Sequence, residues 1–149
     1  MALFYLDTSA LVKLYIREPG TETLLRLTNP LHQHRFTILN IAEVEFRSAI
    51  RRRERTGDLD PPEVTDLIRR FEHHLENRLL RQPLNEAVLD TAKALIDSYP
   101  LRAYDALQLA GCVVLRMAAR TDQPVFVCAD RSLLEAASHL QLATLDPAE

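Results

Sequence analysis

Residues 2–9 read Ala2-Leu3-Phe4-Tyr5-Leu6-Asp7-Thr8-Ser9: five apolar residues in a row, two of them aromatic, then an acid and two hydroxyls. So short and continuous an apolar run fits a strand covered on both faces, as in parallel sheets, rather than an alternating surface strand. Thr8 or Ser9 can then cap a helix carrying Leu11, Leu14 and Tyr15 that stops near Glu18-Pro19-Gly20. The same succession returns late in the chain. Val125-Phe126-Val127-Cys128-Ala129 is closed by Asp130, and a helix is predicted over 132–139.

Working outward, further strands are predicted at 36–39 and 79–80, with a last edge strand at 143–145. Helical periodicity marks 21–28 and 41–55, the second ended by Gly57. Asp60-Pro61-Pro62 supplies a cap and first-turn prolines for a helix reaching about 77. Two more helices, 86–97 and 102–119, flank Pro100. Strands alternating with helices give an α/β class with a central parallel sheet of four to five strands. The crowding of helices in the middle of the chain suggests a helical arm on one side. Neither a repeat nor a linker is visible, so 1–149 is expected to be a single domain.

Composition narrows the function classes. With 149 residues, 47% apolar and 26% charged, the chain has the balance of a soluble globular protein, and 3 Gly and 8 Pro exclude collagen-like and low-complexity types. The most apolar stretch, 103–119, is broken by Asp105, Gln108 and Arg116, which excludes a membrane span. Residues 1–7 carry no basic segment and meet an acid at once, unlike a secretory signal. Cys112 and Cys128 sit in apolar runs without metal-ligand spacing and read as core residues in a reducing compartment, so the expected location is cytoplasmic. Net charge is only -3, yet 16 of the 18 basic residues are Arg. Arg47, Arg51, Arg52, Arg53 and Arg55 against Glu54 give 47–55 a local charge of +4. Such a run is either a solvated helix face or a place for phosphate.

The acids carry the chemistry. Asp7 and Asp130 each follow a buried strand at its carboxyl end, where open parallel sheets bind ligands. Either could equally cap the next helix. Asp105 lies in the first turn of its helix, where it complements the macrodipole. It also stands i, i+4 from Leu101 and Leu109, beside the apolar stripe, where an uncompensated carboxylate is costly. The fourth acid is Glu45 or Glu43. Glu45 shares a face with the small residues Ala42 and Ala49, whereas Glu43 can pair with Arg47 at i+4 on the surface. Glu45 is preferred, with Glu43 as the alternative. An oxygen-only set lacking His and Cys suits a hard divalent cation, Mg²⁺ or Mn²⁺. His32, His34, His73, His74 and His139 fall outside it.

Four segments carry a family resemblance: Tyr5-Leu6-Asp7-Thr8-Ser9-Ala10-Leu11-Val12-Lys13, Ile41-Ala42-Glu43-Val44-Glu45-Phe46-Arg47-Ser48-Ala49, Arg102-Ala103-Tyr104-Asp105-Ala106-Leu107-Gln108-Leu109-Ala110, and Phe126-Val127-Cys128-Ala129-Asp130-Arg131-Ser132-Leu133-Leu134. In them the chain resembles the PIN-domain ribonucleases, most closely the VapC-type toxins of bacterial toxin–antitoxin pairs. The resemblance implies a three-layer α/β/α fold and metal-dependent endonucleolytic cleavage of RNA. It implies Asp7, Asp105 and Asp130 around Mg²⁺ or Mn²⁺, Glu45 as a further ligand or the group orienting the attacking water, and Ser9 orienting Asp7. Arg47, Arg51 and Arg52 would meet the RNA backbone. A cognate antitoxin is implied, its C-terminal segment lying in the groove. A homodimer is implied too, to which Ile68, Phe71 and Leu75 of the arm contribute unless they pack inward. Three other readings compete. A phosphohydrolase of the haloacid-dehalogenase kind needs a second Asp where Ser9 stands. A receiver domain needs a Lys after a late strand, and neither Lys13 nor Lys93 is so placed. A catalytically weak RNA- or antitoxin-binding protein would keep the fold without the reaction.

Overall fold

In strand β1 (Leu3–Leu6) alternate side chains enter two different cores: Phe4 and Leu6 belong to one, Tyr5 to the other. That division follows from the two-residue period of a strand buried on both faces. The computed structural model describes every residue, Met1–Glu149. β1 pairs in parallel with β2 (Arg35–Leu39) and with β4 (Pro124–Val127). β3 (Leu79–Gln82) extends the β2 side and β5 (Ala143–Leu145) the β4 side, giving the order β3-β2-β1-β4-β5 with every pairing parallel.

Seven helices cover the two faces. α1 (Thr8–Lys13), α2 (Thr21–Leu27), α3 (Ile41–Arg55) and α4 (Pro61–Asn77) supply the core that holds Phe4, Leu6, Ile38 and Val127. α5 (Glu86–Ser98), α6 (Ala103–Ala118) and α7 (Arg131–His139) supply the opposite core, around Tyr5, Leu39, Phe126 and Cys128. The result is the three-layer α/β/α arrangement with a five-stranded parallel sheet.

The helical arm is α4, and it lies along the sheet. Asp60 and Glu63 close a capping box at its start. Val64, Leu67, Phe71 and Leu75 recur at three- and four-residue spacing and are all buried, with Phe71 4.0 Å from the Phe46 ring of α3 between centroids. Phe71 and Leu75 therefore pack inward, and Ile68 leans on the same core. This takes Phe71 and Leu75 away from any dimer surface.

Three local expectations are corrected. α1 ends at Lys13, because the N–H groups of Leu14, Tyr15 and Ile16 turn back onto the carbonyls of Leu11 and Val12, and the Thr21 hydroxyl donates to the Lys13 carbonyl at 2.8 Å. β4 begins at Pro124 and stops at Val127, so Asp130 does not directly follow a strand. Cys128 and Ala129 intervene, although the Cys128 N–H still reaches the Leu145 carbonyl at 3.1 Å. A short 3₁₀ turn at Pro30–His32, capped by Asn29, precedes β2 where no element was expected. No helix is long and apolar enough to cross a membrane.

Candidate functional site

The Asp7 N–H donates to the Val127 carbonyl at 3.2 Å, which ties the carboxyl end of β1 to that of β4. Asp7 caps α1: its Oδ1 accepts from the Ala10 N–H at 2.9 Å and from the Ser9 hydroxyl at 2.8 Å. The side chain is almost wholly buried, and burial pushes its pKa from 3.8 up to about 6, against the lowering effect of the bonds from Ala10, Ser9 and Cys128. The charge of Asp105 raises it further. Asp105, half-buried in the first turn of α6, is itself raised by burial and then by Asp130, with Arg102 opposing. Each acid thus feels the next. Asp130 is exposed and caps α7 through Oδ1, which accepts from the Leu133 N–H at 3.0 Å.

Capping and a shared site prove compatible. The cap occupies Oδ1 of both Asp7 and Asp130; Asp7 Oδ2 lies 3.0 Å from the Ser9 hydroxyl, and Asp130 Oδ2 accepts no hydrogen bond within the chain. None of Asp7, Glu45, Asp105 and Asp130 forms an ion pair.

Glu45 is held by a part-buried network that reaches Thr8, next to Asp7, and Gln108, on the helix of Asp105. Its Oε1 accepts from the Thr8 hydroxyl at 2.8 Å and from Gln108 Nε2 at 2.9 Å. Gln108 Nε2 also reaches Thr8 Oγ1 at 2.9 Å, and Gln108 Oε1 accepts from the Tyr5 hydroxyl at 3.2 Å. Gln108 lies one turn beyond Asp105 on α6. Gly111, three residues further, leaves room for the Tyr5 ring, because an added Cβ would fall on the Tyr5 hydroxyl. Sequence reasoning missed Gln108 and Thr8 as parts of the site. The available signal was the lone amide in an apolar helix, since a buried amide must find partners.

Glu43 points elsewhere. It pairs with Arg81 of β3 at 3.5 Å, and not with Arg47, which reaches across to Glu72 of α4 at 3.0 Å. The two helices pack as neighbours, so the interhelical partner displaces the i, i+4 one. Arg51 is held by Glu54 at 3.0 Å and Arg53 by Glu18 at 2.9 Å. Of Arg47, Arg51 and Arg52, only Arg52 lines the open groove of about 750 Å³ shared with Thr8, Ser9, Glu45 and Tyr104. Arg52 has no carboxylate partner. Of the four acids only Glu45 lines this groove, and a separate cavity of about 420 Å³, lined by Tyr15, His34, Arg70 and His74, contains none of them.

No three His, Cys, Asp or Glu side chains lie close enough together, as they stand, to hold a metal ion between them. The residues nonetheless fit a hard cation, on two grounds. The donors are all oxygen, and the buried Asp7 charge is opposed by a second acid and balanced by no Lys or Arg. A magnesium-like ion uses few carboxylates, keeps several waters and accepts phosphate oxygens, so an open arrangement suits it.

Comparison with known proteins agrees with this architecture. A family model described as PIN domain matches residues 4–139. Over 110 residues the chain is 36% identical to Ribonuclease VapC46 of Mycobacterium tuberculosis, spanning 74% of each protein. A toxin-antitoxin complex from Klebsiella pneumoniae superposes with a TM-score of 0.67 over 100% of this chain and 99% of that one, at 16% identity. VapBC-1 from nontypeable Haemophilus influenzae does so with a TM-score of 0.64 over 99% of both chains, also at 16% identity. At these identities the structural likeness speaks for the fold alone.

Proposed function

This chain belongs to the PIN-domain family, and from that membership we propose that it is a Mg²⁺- or Mn²⁺-dependent endoribonuclease, the toxin of a toxin–antitoxin pair. One observation carries the reading. A carboxylate buried at the carboxyl end of a parallel sheet, Asp7, is burdened by a second acid that is burdened in turn by a third, with no cation of the chain in ion-pair reach. Arg102 offsets part of the charge at Asp105, and a bound cation would relieve the rest of the cluster without protonating it.

In this reading Asp7, Asp105 and Asp130 hold the cation. When bound there, it supplies a Lewis acid for the water and for the phosphoryl oxygen and offsets the charge that develops in an in-line displacement. Ser9, whose single hydroxyl proton faces both oxygens of Asp7 at 2.8 and 3.0 Å, fixes the orientation of that carboxylate. Glu45 is anchored through Oε1 by Thr8 and Gln108, which leaves Oε2 to orient the attacking water. Arg52, unpaired on the groove wall, meets a backbone phosphate. The substrate is single-stranded or loop RNA, whose backbone can enter an open groove. The chain acts as one domain in the cytoplasm, as a homodimer, and is silenced by a cognate antitoxin whose C-terminal segment occupies the groove. The kinship with a protein named Ribonuclease VapC46 and the likeness to chains from toxin–antitoxin complexes support this assignment.

The test pairs RNA cleavage in Mg²⁺, Mn²⁺ or EDTA with Asp7→Asn and Asp105→Asn variants. Cleavage by the wild type in either cation, abolished by EDTA and by each substitution, is expected. Undiminished cleavage by both variants would refute the assignment.

A further inference from the structure

The aromatic residues of this chain are few, 4 Tyr and 5 Phe without Trp, and all but one are sheltered. Phe4, Phe36, Phe46, Phe71, Phe126 and Tyr5 are buried. Tyr15 is packed edge-on against Phe46 and Phe71, its hydroxyl 2.6 Å from His74 Nδ1. Tyr99 leans on the core beside His139. Tyr104 alone is 61% exposed. It makes no ring contact and its hydroxyl has no hydrogen-bond partner, so neither packing nor a bond explains its presence. A single exposed aromatic needs no explanation by itself. Its position does.

Tyr104 immediately precedes Asp105 in the first turn of α6 and lines the groove that also holds Glu45, Ser9 and Arg52. Val44, 71% exposed and immediately before Glu45, lines the same groove. Two of the candidate acids, Glu45 and Asp105, are thus each preceded by an exposed side chain on the groove wall. A phosphate drawn to the acids through a cation, and to Arg52, would bring a nucleobase beside the Tyr104 ring. Stacking on an aromatic ring is the interaction an unpaired base offers irrespective of its identity.

We propose that Tyr104 is the base-stacking platform of this groove, holding an unpaired nucleobase next to the scissile phosphate and so favouring single-stranded over duplex RNA. The proposal rests on the ribonuclease reading for the word scissile, but the stacking itself does not require cleavage. A base inside a duplex is already stacked on its neighbours and has no free face for the ring, so the preference for single strands follows.

The experiment uses a short single-stranded RNA carrying 2-aminopurine and the same sequence in duplex form. The proteins are wild type, Tyr104→Ala and Tyr104→Phe. Fluorescence quenching on binding is read with Ca²⁺ in place of Mg²⁺, and kcat and KM are read separately with Mg²⁺. The wild type is expected to quench the single strand. Tyr104→Ala should lose the quench, raise KM roughly tenfold with kcat within about twofold, and narrow the preference for single strand over duplex; Tyr104→Phe, which keeps the ring, should match the wild type. Wild-type quench and KM in Tyr104→Ala overturn the proposal and leave the ribonuclease reading intact. A fall in kcat shared by both variants at unchanged KM also overturns it, because the hydroxyl and not the ring would then matter. Quenching that depends on Tyr104, from a wild type that cleaves nothing, upholds the platform and removes the ribonuclease reading instead.

Discussion

Gln108 Nε2 donates to Glu45 Oε1 at 2.9 Å, joining the first half of α6 to the first turns of α3 beneath the groove. The same amide holds Thr8, and its oxygen takes the Tyr5 hydroxyl, so one buried side chain links β1, α1, α3 and α6. Glu45 is oriented by this network and not by its own helix.

Gln108→Leu keeps the volume and removes every bond. Tyr5 then carries an unpartnered buried hydroxyl, and unfolding free energy should drop by about 1–3 kcal/mol in a urea titration. Loss of an orienting partner should lower the cleavage rate by roughly 10- to 100-fold, with the substrate KM little changed. A variant with wild-type kcat would show that Glu45 needs no such support.

Gly111→Ala tests the space kept for Tyr5. In a helix interior Ala is ordinarily favoured over Gly by about 1 kcal/mol. Here the new methyl meets the Tyr5 hydroxyl, with Leu39 Cδ1 at 3.3 Å also close. Overpacking should reverse the sign and destabilise by about 1–3 kcal/mol, lowering the melting temperature. Adding Tyr5→Phe should recover part of the loss.

Asp7 makes stability depend on pH in a stated direction. Its native pKa is about 6 against an ordinary 3.8, so between those values the folded state holds a proton that the unfolded state has released. Asp7's contribution to stability is therefore full below about pH 4 and lost as pH rises through 6, a span of about 3 kcal/mol. Asp7→Asn carries no such charge. In EDTA at pH 7.5 it should be more stable than the wild type by up to about 3 kcal/mol, a gap that closes by pH 4. Urea unfolding across that range decides it; a gap independent of pH would contradict the burial of a charged Asp7.

The arginines should separate by salt. Fluorescence anisotropy of a labelled single-stranded RNA against KCl should give Arg52→Ala a log–log slope shallower by about 0.7, while Arg47→Ala, whose guanidinium is held by Glu72, should leave the slope alone. Equal slopes for the two variants would remove Arg52 from the interface.

Much of the fold was legible because its strands are buried on both faces and so write continuous apolar runs, as in 2–6. Asp60-Pro61-Pro62 likewise fixed the start of α4 through local cap chemistry. The end of α1 was not legible: Leu14 and Tyr15 prolong the apolar period, and only the bond from Thr21 reveals the turn. The order and kind of the acids were readable. Their partners were not. Glu43 chooses Arg81 and Arg47 chooses Glu72 because neighbouring elements supply the closer charge, and local spacing carries no trace of that choice. The capping reading of Asp7 and Asp130 and the site reading looked exclusive in the sequence, whereas a carboxylate has two oxygens.

The central claim is that side chains far apart in sequence form one divalent-cation site. Calorimetric titration of Mn²⁺ into the wild type, Asp7→Asn, Asp105→Asn and Asp130→Asn, with Glu43→Gln as the control, tests it most directly. Saturable binding by the wild type and by Glu43→Gln is expected, weakened by at least about tenfold in each Asn variant. Wild-type binding by the three Asn variants, or no binding by any protein, would contradict it.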